Sequence, residues 1–164
     1  MKFLIVLISY LILTADVNIA EVRQLYKQAD LSEQNAVVLL EKLESISKTD
    51  DKVLVAYKGA VTSMSAKYEK GAKLKKGVFK NGVSLVEYAV SSDSENIEIR
   101  FVRLSVQQNS PKFLNYNKEI EEDKKYILNN INQISSIELK SYIKDYILHS
   151  NNFTEEEKNV ISQP

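Results

Sequence analysis

The sequence predicts an all-α protein in which antiparallel helix pairs pack into a compact bundle or a short stack. Only four glycines and two prolines occur among the 164 residues, so long stretches lack the residues that end helices. Apolar side chains recur three and four positions apart in these stretches, which is the spacing of one face of an α-helix. One such stripe consists of Leu54, Tyr57, Val61, Met64 and Tyr68.

The individual helices follow from these stripes and from residues that favour helix starts. Capping boxes are predicted at Asp30, Ser135 and Thr154, each with a glutamate three positions later that reaches back to the cap. Asp50 and Asp51 precede the stripe of Leu54 to Tyr68 and are suited to cap its helix. The predicted helices cover residues 20–29, 32–47, 52–69, 75–91, 96–108, 118–133, 136–149 and 154–162.

One segment has two interpretations. Residues 97–101 alternate apolar and charged side chains, as an edge strand does. The alternation stops in the residues that follow, and a single strand would have no partner in an otherwise helical chain. We therefore predict a helix here.

The N-terminus predicts a secretory signal peptide over 1–20, followed by a single helical domain over 21–164. Lys2 precedes an eleven-residue apolar run, whereas a membrane-spanning helix needs about 20 such residues. Ala15 and Ala20 are the candidate cleavage positions, and a buried element of the domain is the alternative interpretation. Lysine far outnumbers arginine, which we take as a coding bias typical of some bacteria. We therefore expect an exported protein in the periplasm or cell envelope of a bacterium.

The composition excludes several functional classes. The absence of cysteine excludes a disulfide framework, thiolate metal sites and a cysteine nucleophile. The single histidine, His149, lies at the end of a predicted helix, where a cation complements the helix dipole. No phosphate-binding glycine loop or nucleophile elbow occurs, and a formal net charge of zero argues against nucleic-acid binding. We predict no catalytic residues, no metal ligands and no cofactor.

The most distinctive stretch of the chain covers residues 98–127. Its characteristic parts are Glu98-Ile99-Arg100-Phe101, Pro111-Lys112-Phe113-Leu114, Tyr116-Asn117 and Ile120-Glu121-Glu122-Asp123-Lys124. This stretch resembles a segment of an uncharacterised family of exported all-helical proteins from Bacteroidetes-type bacteria. The order of helix pairs also resembles a tetratricopeptide array, although the full repeat consensus is absent. The resemblance implies a bacterial envelope protein and brings no catalytic residues.

Within this stretch, Arg100, Arg103, Tyr116 and Asn117 are the candidate binding residues. The two arginines lie three positions apart on one face of the predicted helix, and arginine suits paired contacts with carboxylates. In one interpretation they clamp this helix to the acidic residues 119–123 of the next. In the other they bind an anionic ligand or a partner's terminal carboxylate in a groove between helices.

A lysine-rich segment is the second candidate surface. Residues 51–80 hold eight lysines and two acidic residues, a net charge of +6. Lys70, Lys73, Lys76 and Lys80 are the candidate residues for contact with an anionic surface, and a solvated inter-helix segment is the alternative. Gly71, Gly77 and Gly82 fall in or beside this segment, so we expect it to be irregular or mobile.

We expect a non-enzymatic exported protein that binds a protein or peptide partner in the cell envelope. The nine tyrosines mostly lie on or beside apolar stripes, where they either edge the core or line a groove that grips a peptide. The alternatives are a small enzyme that uses carboxylates, and association with an anionic membrane surface without spanning it. A pocket with two convergent acids would favour the enzyme, and a broad concave face lined by tyrosine or arginine would favour binding.

Overall fold

The computed structural model describes residues 17–162, which form an all-α bundle as predicted. Short 3-10 turns at 66–68, 112–114 and 131–133 extend or connect the helices. Every predicted helix is confirmed, including the one over 97–101. The α-helices in this part of the chain are α1 (Ile19–Ala29), α2 (Glu33–Lys42), α3 (Lys52–Ser65), α4 (Ala72–Ser92), α5 (Ile97–Asn109), α6 (Ile120–Asn130), α7 (Ile137–His149) and α8 (Glu155–Ser162).

Two pairs of consecutive helices, α1–α2 and α5–α6, are antiparallel, as the polar contacts between them show. Between α1 and α2, Asn35 donates to the carbonyl of Gln28 near the turn, while Lys42 pairs with Glu21 at the far ends. Between α5 and α6, residue 107 contacts residue 119 and residue 103 contacts residue 123. The two helices of each of these pairs therefore run in opposite directions.

The α3–α4 pair is the most extensively packed, and two glycines set its close approach. An added Cβ at Gly82 would lie 2.3 Å from the backbone nitrogen of Ser63, and one at Gly59 would lie 2.6 Å from the carbonyl oxygen of Gly82. Both distances are far below van der Waals contact. The two helices can cross this closely only because neither residue has a side chain.

The expectation of an irregular segment around the glycines holds for residues 69–71, which form bends, and is wrong for the two glycines that follow. Residues 72–92 form one continuous helix that contains both Gly77 and Gly82. Of the four glycines, only Gly71 adopts a positive φ, of 92°, and it lies immediately before the helix begins. Packing against α3 stabilises α4 and offsets the weak helix propensity of glycine, which costs about 1 kcal/mol per residue.

Helix α5 lies at the centre of the bundle. Residues 101–107 are all buried, and α5 packs against α3, α4 and α6. A helix that is covered on all sides has no single apolar stripe. This explains why the sequence pattern over residues 97–101 is compatible with either a strand or a helix.

Helix starts follow the predicted residue types, and two follow the predicted positions. At α8 the backbone nitrogen of Thr154 donates to the Glu157 carboxylate at 2.8 Å, and the nitrogen of Glu157 donates back to the Thr154 hydroxyl. Asp51 accepts from the nitrogen of Val53 at the start of α3. Both predicted caps are confirmed.

The other two predicted capping boxes are wrong by one or two residues. Helix α2 is capped by Ser32, which accepts from the nitrogen of Asn35, rather than by Asp30. Helix α7 is capped by Ser136 rather than by Ser135. In each case a second suitable side chain lies closer to the first helical residue, and a cap must lie directly at that boundary.

The predicted signal peptide falls mainly on residues 1–16, which lie outside the described residues. Helix α1 begins at Ile19, and Asn18 caps it by accepting from the nitrogens of Ala20 and Glu21. Val17 and Ile19 are partly buried against the core. The first helix therefore starts within the last four residues of the predicted leader.

None of the helices in residues 17–162 combines the length and apolar character needed to cross a membrane.

Candidate binding groove

A wide groove of about 1670 Å³ runs between the N-terminal half of α4 and the C-terminal half of α7. Buried residues of α3 and α5 form its base, among them Ala60, Phe101 and Val106. The end of α1, residues 66–67 and the loops over residues 110–116 and 150–152 complete the lining. Most of the lining surface is apolar, and the groove is open to solvent along one side. We call this feature the α4–α7 groove.

Aromatic side chains form one wall of the α4–α7 groove. The rings of Tyr142 and Tyr146 each meet Phe101 edge-on, with centroid distances of 5.2 and 5.1 Å. The Tyr26 hydroxyl forms a 2.8 Å hydrogen bond with the hydroxyl of Ser105. Edge-to-face contacts of this kind hold aromatic rings in fixed orientations, so this wall is preformed.

The tyrosine hydroxyls on this wall are neutral over the physiological pH range. Burial raises the pKa of Tyr146 to about 12, and burial likewise raises the pKa of Tyr26 and of Tyr142 above the ordinary value. These groups therefore serve as hydrogen-bonding groups and apolar surface, and they are unsuited to act as bases.

The opposite wall combines Phe79 of α4 with Tyr116 of the 110–116 loop. Their rings meet edge-on at a centroid distance of 6.0 Å. The Tyr116 hydroxyl donates to the carboxylate of Glu87 at 2.6 Å, which fixes the loop against α4. Phe113, in the same loop, also lines the groove, and 80% of its surface is exposed. An exposed phenylalanine at the mouth of an apolar groove is typical of a contact surface.

Lysines line the α4 edge of the groove. Lys75, Lys76 and Lys80 belong to the lining and are exposed, and none of them forms an ion pair within residues 17–162. By contrast, Lys67 pairs with Asp30 and Lys27 pairs with Asp145, both across the groove lining. The uncompensated charge at this edge is therefore positive. Lys76 and Lys80 are two of the residues that the sequence singled out, whereas Lys70 and Lys73 are exposed but outside the lining.

Arg100 and Arg103 lie on the far side of α5, outside the α4–α7 groove. The Arg103 guanidinium donates to both oxygens of Asp123, each at 2.7 Å, and Asp123 has no exposed surface. Arg100 donates to Asp123 and Glu122 at 3.0 and 2.9 Å. These contacts fit the first interpretation of the arginine pair, in which it clamps α5 to α6.

The other two predicted binding residues lie near the groove. Tyr116 lines it directly, and Asn117 lines a smaller adjoining pocket of about 250 Å³. The structure thus separates the predicted set, because Tyr116 and Asn117 face recesses whereas Arg100 and Arg103 hold two helices together.

Sequence reasoning missed a buried ion pair on the opposite face of α5. Arg23 of α1 donates to both oxygens of Glu98 at 2.7 Å, and the Tyr57 hydroxyl donates to the same carboxylate at 2.9 Å. The hydrogen bond to Glu98 raises the pKa of Arg23. The partners are 75 and 41 residues apart, so no local sequence pattern could have joined them.

The groove lining holds two acidic residues, Asp30 and Asp145, and each is paired with a lysine. Among the described residues, no cluster of three or more histidine or acidic side chains is arranged to hold a metal ion. His149 lies exposed at the rim, where its Nδ1 contacts the carbonyl of Asp145.

Comparisons with known proteins leave this geometry as the main guide to function. No protein-family model, no curated protein and no solved structure matches the chain. The resemblance of residues 98–127 to an exported bacterial family stays a prediction.

Proposed function

We propose that this protein binds an acidic, amphipathic segment of a partner protein or peptide in the α4–α7 groove, and that it does so as an exported, non-enzymatic protein of the bacterial envelope. The observation that carries the proposal is the combination of a preformed apolar groove with unpaired lysines along one edge. An amphipathic segment places apolar side chains on the groove's aromatic base and its carboxylates beside those lysines.

The size of the groove favours an extended ligand. Sites for small molecules measure about 300–1000 Å³ and enclose most of the ligand. The α4–α7 groove is larger, at about 1670 Å³, and is open along one side. A helix or an extended peptide suits a large open recess of this kind better than a small molecule, which most pockets enclose almost completely.

The composition of the lining favours a protein ligand over a purely electrostatic contact. Tyrosine and phenylalanine are enriched in the buried centres of protein interfaces, where they contribute much of the binding energy. Tyr142, Tyr146 and Phe79 hold such positions in the groove, and Phe113 presents its ring at the mouth. The lysines add charge complementarity, which speeds association and selects acidic partners.

The proposal is tested by selecting ligands from a random peptide library with the purified protein. We expect enriched peptides to combine aspartate or glutamate with aromatic or aliphatic residues. We expect the double variant Lys76→Glu/Lys80→Glu to weaken their binding by about tenfold or more, because each reversal replaces an attraction by a repulsion. Fluorescence anisotropy of labelled peptides at low and high salt provides the measurement.

A matched control uses Lys118→Glu/Lys125→Glu, since both lysines are exposed and neither lines the groove. It changes the net charge by the same amount and should leave peptide affinity within about twofold. Equal losses in the two double variants, or selected peptides without acidic residues, would overturn the proposal.

Vesicles of phosphatidylethanolamine and phosphatidylglycerol distinguish the alternative of membrane-surface association. Lys70, Lys73, Lys76 and Lys80 are all exposed, so a cationic face is available. If the protein sediments with anionic vesicles and selects no peptides, the face binds lipid headgroups and the peptide proposal is wrong. We expect peptide selection and no sedimentation at physiological salt.

A further inference from the structure

A small pocket adjoins the α4–α7 groove at the C-terminal end of α5. Its volume is about 250 Å³, and it shares lining residues with the groove, so the two recesses are continuous. The shared residues are Ser110, Pro111, Tyr116 and Asn152. Gln107, Gln108 and Asn117 line the small pocket alone. We call this feature the glutamine pocket.

The two glutamines carry unmet hydrogen-bonding capacity. Gln107 is 2% exposed, and its side-chain nitrogen donates to the Glu119 carboxylate at 2.6 Å while its Oε1 has no partner. The Oε1 of Gln108 accepts from the Tyr146 hydroxyl at 2.8 Å, and its Nε2 has no partner. A buried polar atom without a hydrogen bond is costly and uncommon in folded proteins.

The contacts at the two amides differ in what they fix. A carboxylate only accepts hydrogen bonds, so Glu119 holds the Gln107 amide with its nitrogen towards the carboxylate and its oxygen free. A hydroxyl both donates and accepts, so the Tyr146 contact is compatible with either orientation of the Gln108 amide; in the structure its oxygen accepts and its nitrogen is free. With the amide in that orientation, one acceptor and one donor stand on consecutive residues that line this pocket.

We propose that the glutamine pocket binds a neutral amide group, as found in the peptide backbone and in asparagine and glutamine side chains. This inference rests on the proposed function, because the amide would belong to the peptide in the α4–α7 groove. An amide offers one N–H donor and one carbonyl acceptor, which are the partners that Gln107 Oε1 and Gln108 Nε2 lack. Their free atoms are covered in the unbound protein, so binding also requires both amides to rotate away from their contacts with Glu119 and Tyr146.

The carboxylates near the pocket favour a neutral ligand over an anionic one. Glu119 contacts the Gln107 side chain at 2.6 Å, and Glu121 also lines the pocket. Two carboxylates stand against one cation, Lys112, around this pocket, so the charge there is negative on balance and disfavours a ligand carboxylate. The glutamine pocket therefore selects an uncharged polar group, while the lysine edge of the groove selects anionic groups. Together the two features predict a ligand with an amide at one end of an acidic, apolar segment.

The test uses N-acetylglycine methylamide as the probe, with acetate as the charged comparison. We expect the side-chain amide signals of Gln107 and Gln108 in ¹⁵N NMR spectra to shift and saturate with a dissociation constant of about 1–10 mM. Gln107→Leu and Gln108→Leu should each weaken this binding by about fivefold. Each variant removes one unmet polar atom together with one hydrogen bond, to Glu119 or from Tyr146, so circular dichroism and thermal unfolding must first show that each variant is folded. Acetate should give no saturating shift.

The control is Gln24→Leu, which changes an exposed glutamine on α1 and should leave probe affinity unchanged. Absence of a saturating shift at the two glutamines, or equal affinity for acetate, would overturn the inference and indicate that the pocket holds water only. The Lys76→Glu/Lys80→Glu variant separates this outcome from failure of the proposed function. It should lose acidic peptides and keep the amide probe, whereas the two leucine variants lose the probe.

Discussion

Asp123 binds two arginines at once and has no surface exposed to solvent. Its carboxylate receives two hydrogen bonds from Arg103 and one from Arg100. The Arg100 guanidinium also stacks over the Tyr126 ring, 4.2 Å from its centroid. A buried carboxylate of this kind is stable only while its cationic partners remain in place. Its contribution is therefore to hold α5 against α6 in one register.

We predict that Asp123→Asn lowers the free energy of unfolding by about 3–5 kcal/mol, because it leaves the buried charge of Arg103 with only its longer, 3.5 Å contact to Glu87. Urea unfolding followed by circular dichroism measures the change. Glu122→Gln is the control: the Glu122 side chain contacts Arg100 but is 65% exposed, so its loss should cost about 0.5 kcal/mol or less. Similar losses in the two variants would contradict the clamp.

The arginines also show how far residue-level reasoning reached. The spacing of Arg100 and Arg103 and the acidic run over 119–123 were sufficient to predict a clamp between neighbouring helices. The choice between a clamp and a ligand site depended on whether Asp123 is buried, and burial is a property of the whole fold.

At the scale of elements, the close contact between α3 and α4 depends on two glycines, which have no side chain. Gly82 lies against the backbone of Ser63, and Gly59 lies against the backbone of Gly82. Backbone atoms cannot move aside as a flexible side chain can. The closest part of this crossing therefore tolerates no added volume.

We predict that Gly82→Ala destabilises the protein by about 1–3 kcal/mol, although alanine is the better helix former, because its Cβ would overlap the backbone of α3. Gly77→Ala is the matched control in the same helix. No atom lies within 4 Å of its added Cβ, so it should stabilise the protein by about 1 kcal/mol. Thermal and urea unfolding of both variants measure the difference, and the same sign for both would contradict the packing argument.

The helices were predictable from sequence to within a few residues because their determinants are local. Apolar spacing and capping residues act over one or two turns. The errors occurred where two suitable caps stood side by side, as at Ser135 and Ser136, and where glycines suggested irregularity in α4. In the second case, packing against α3 stabilises the helix, and the sequence around the glycines does not predict that contact.

At the scale of the whole molecule, buried tyrosines couple the fold to alkaline pH. Burial raises the pKa of Tyr26, Tyr57, Tyr116, Tyr142 and Tyr146 above the ordinary value near 10. Below pH 10 these hydroxyls are protonated in both the folded and the unfolded chain. Above pH 10 they ionise first in the unfolded chain, so its free energy falls relative to the folded state.

We predict cooperative unfolding between about pH 11 and pH 12. Each of the five tyrosines lowers the free energy of unfolding by about 1.4 kcal/mol per pH unit in this range, and the typical stability of a domain is about 5–15 kcal/mol. Tyrosinate absorbance and far-ultraviolet circular dichroism should change together. Tyr146→Phe should shift the transition to higher pH. Complete tyrosine ionisation near pH 10 with the helices intact would contradict this prediction.

The sequence alone determined the fold class and the positions of the helices, because backbone hydrogen bonding and side-chain spacing within a helix depend on near neighbours. It also identified Lys76, Lys80, Tyr116 and Asn117, whose residue types are suited to binding. Only the tertiary structure assembled the α4–α7 groove, since its lining comes from α1, α3, α4, α5, α7 and the 110–116 loop. It also assigned Arg100 and Arg103 to the α5–α6 contact and left Gln107 and Gln108 with unmet hydrogen bonds. These outcomes depend on which distant segments meet, and that is decided by the packing of complete helices rather than by any one stretch of sequence.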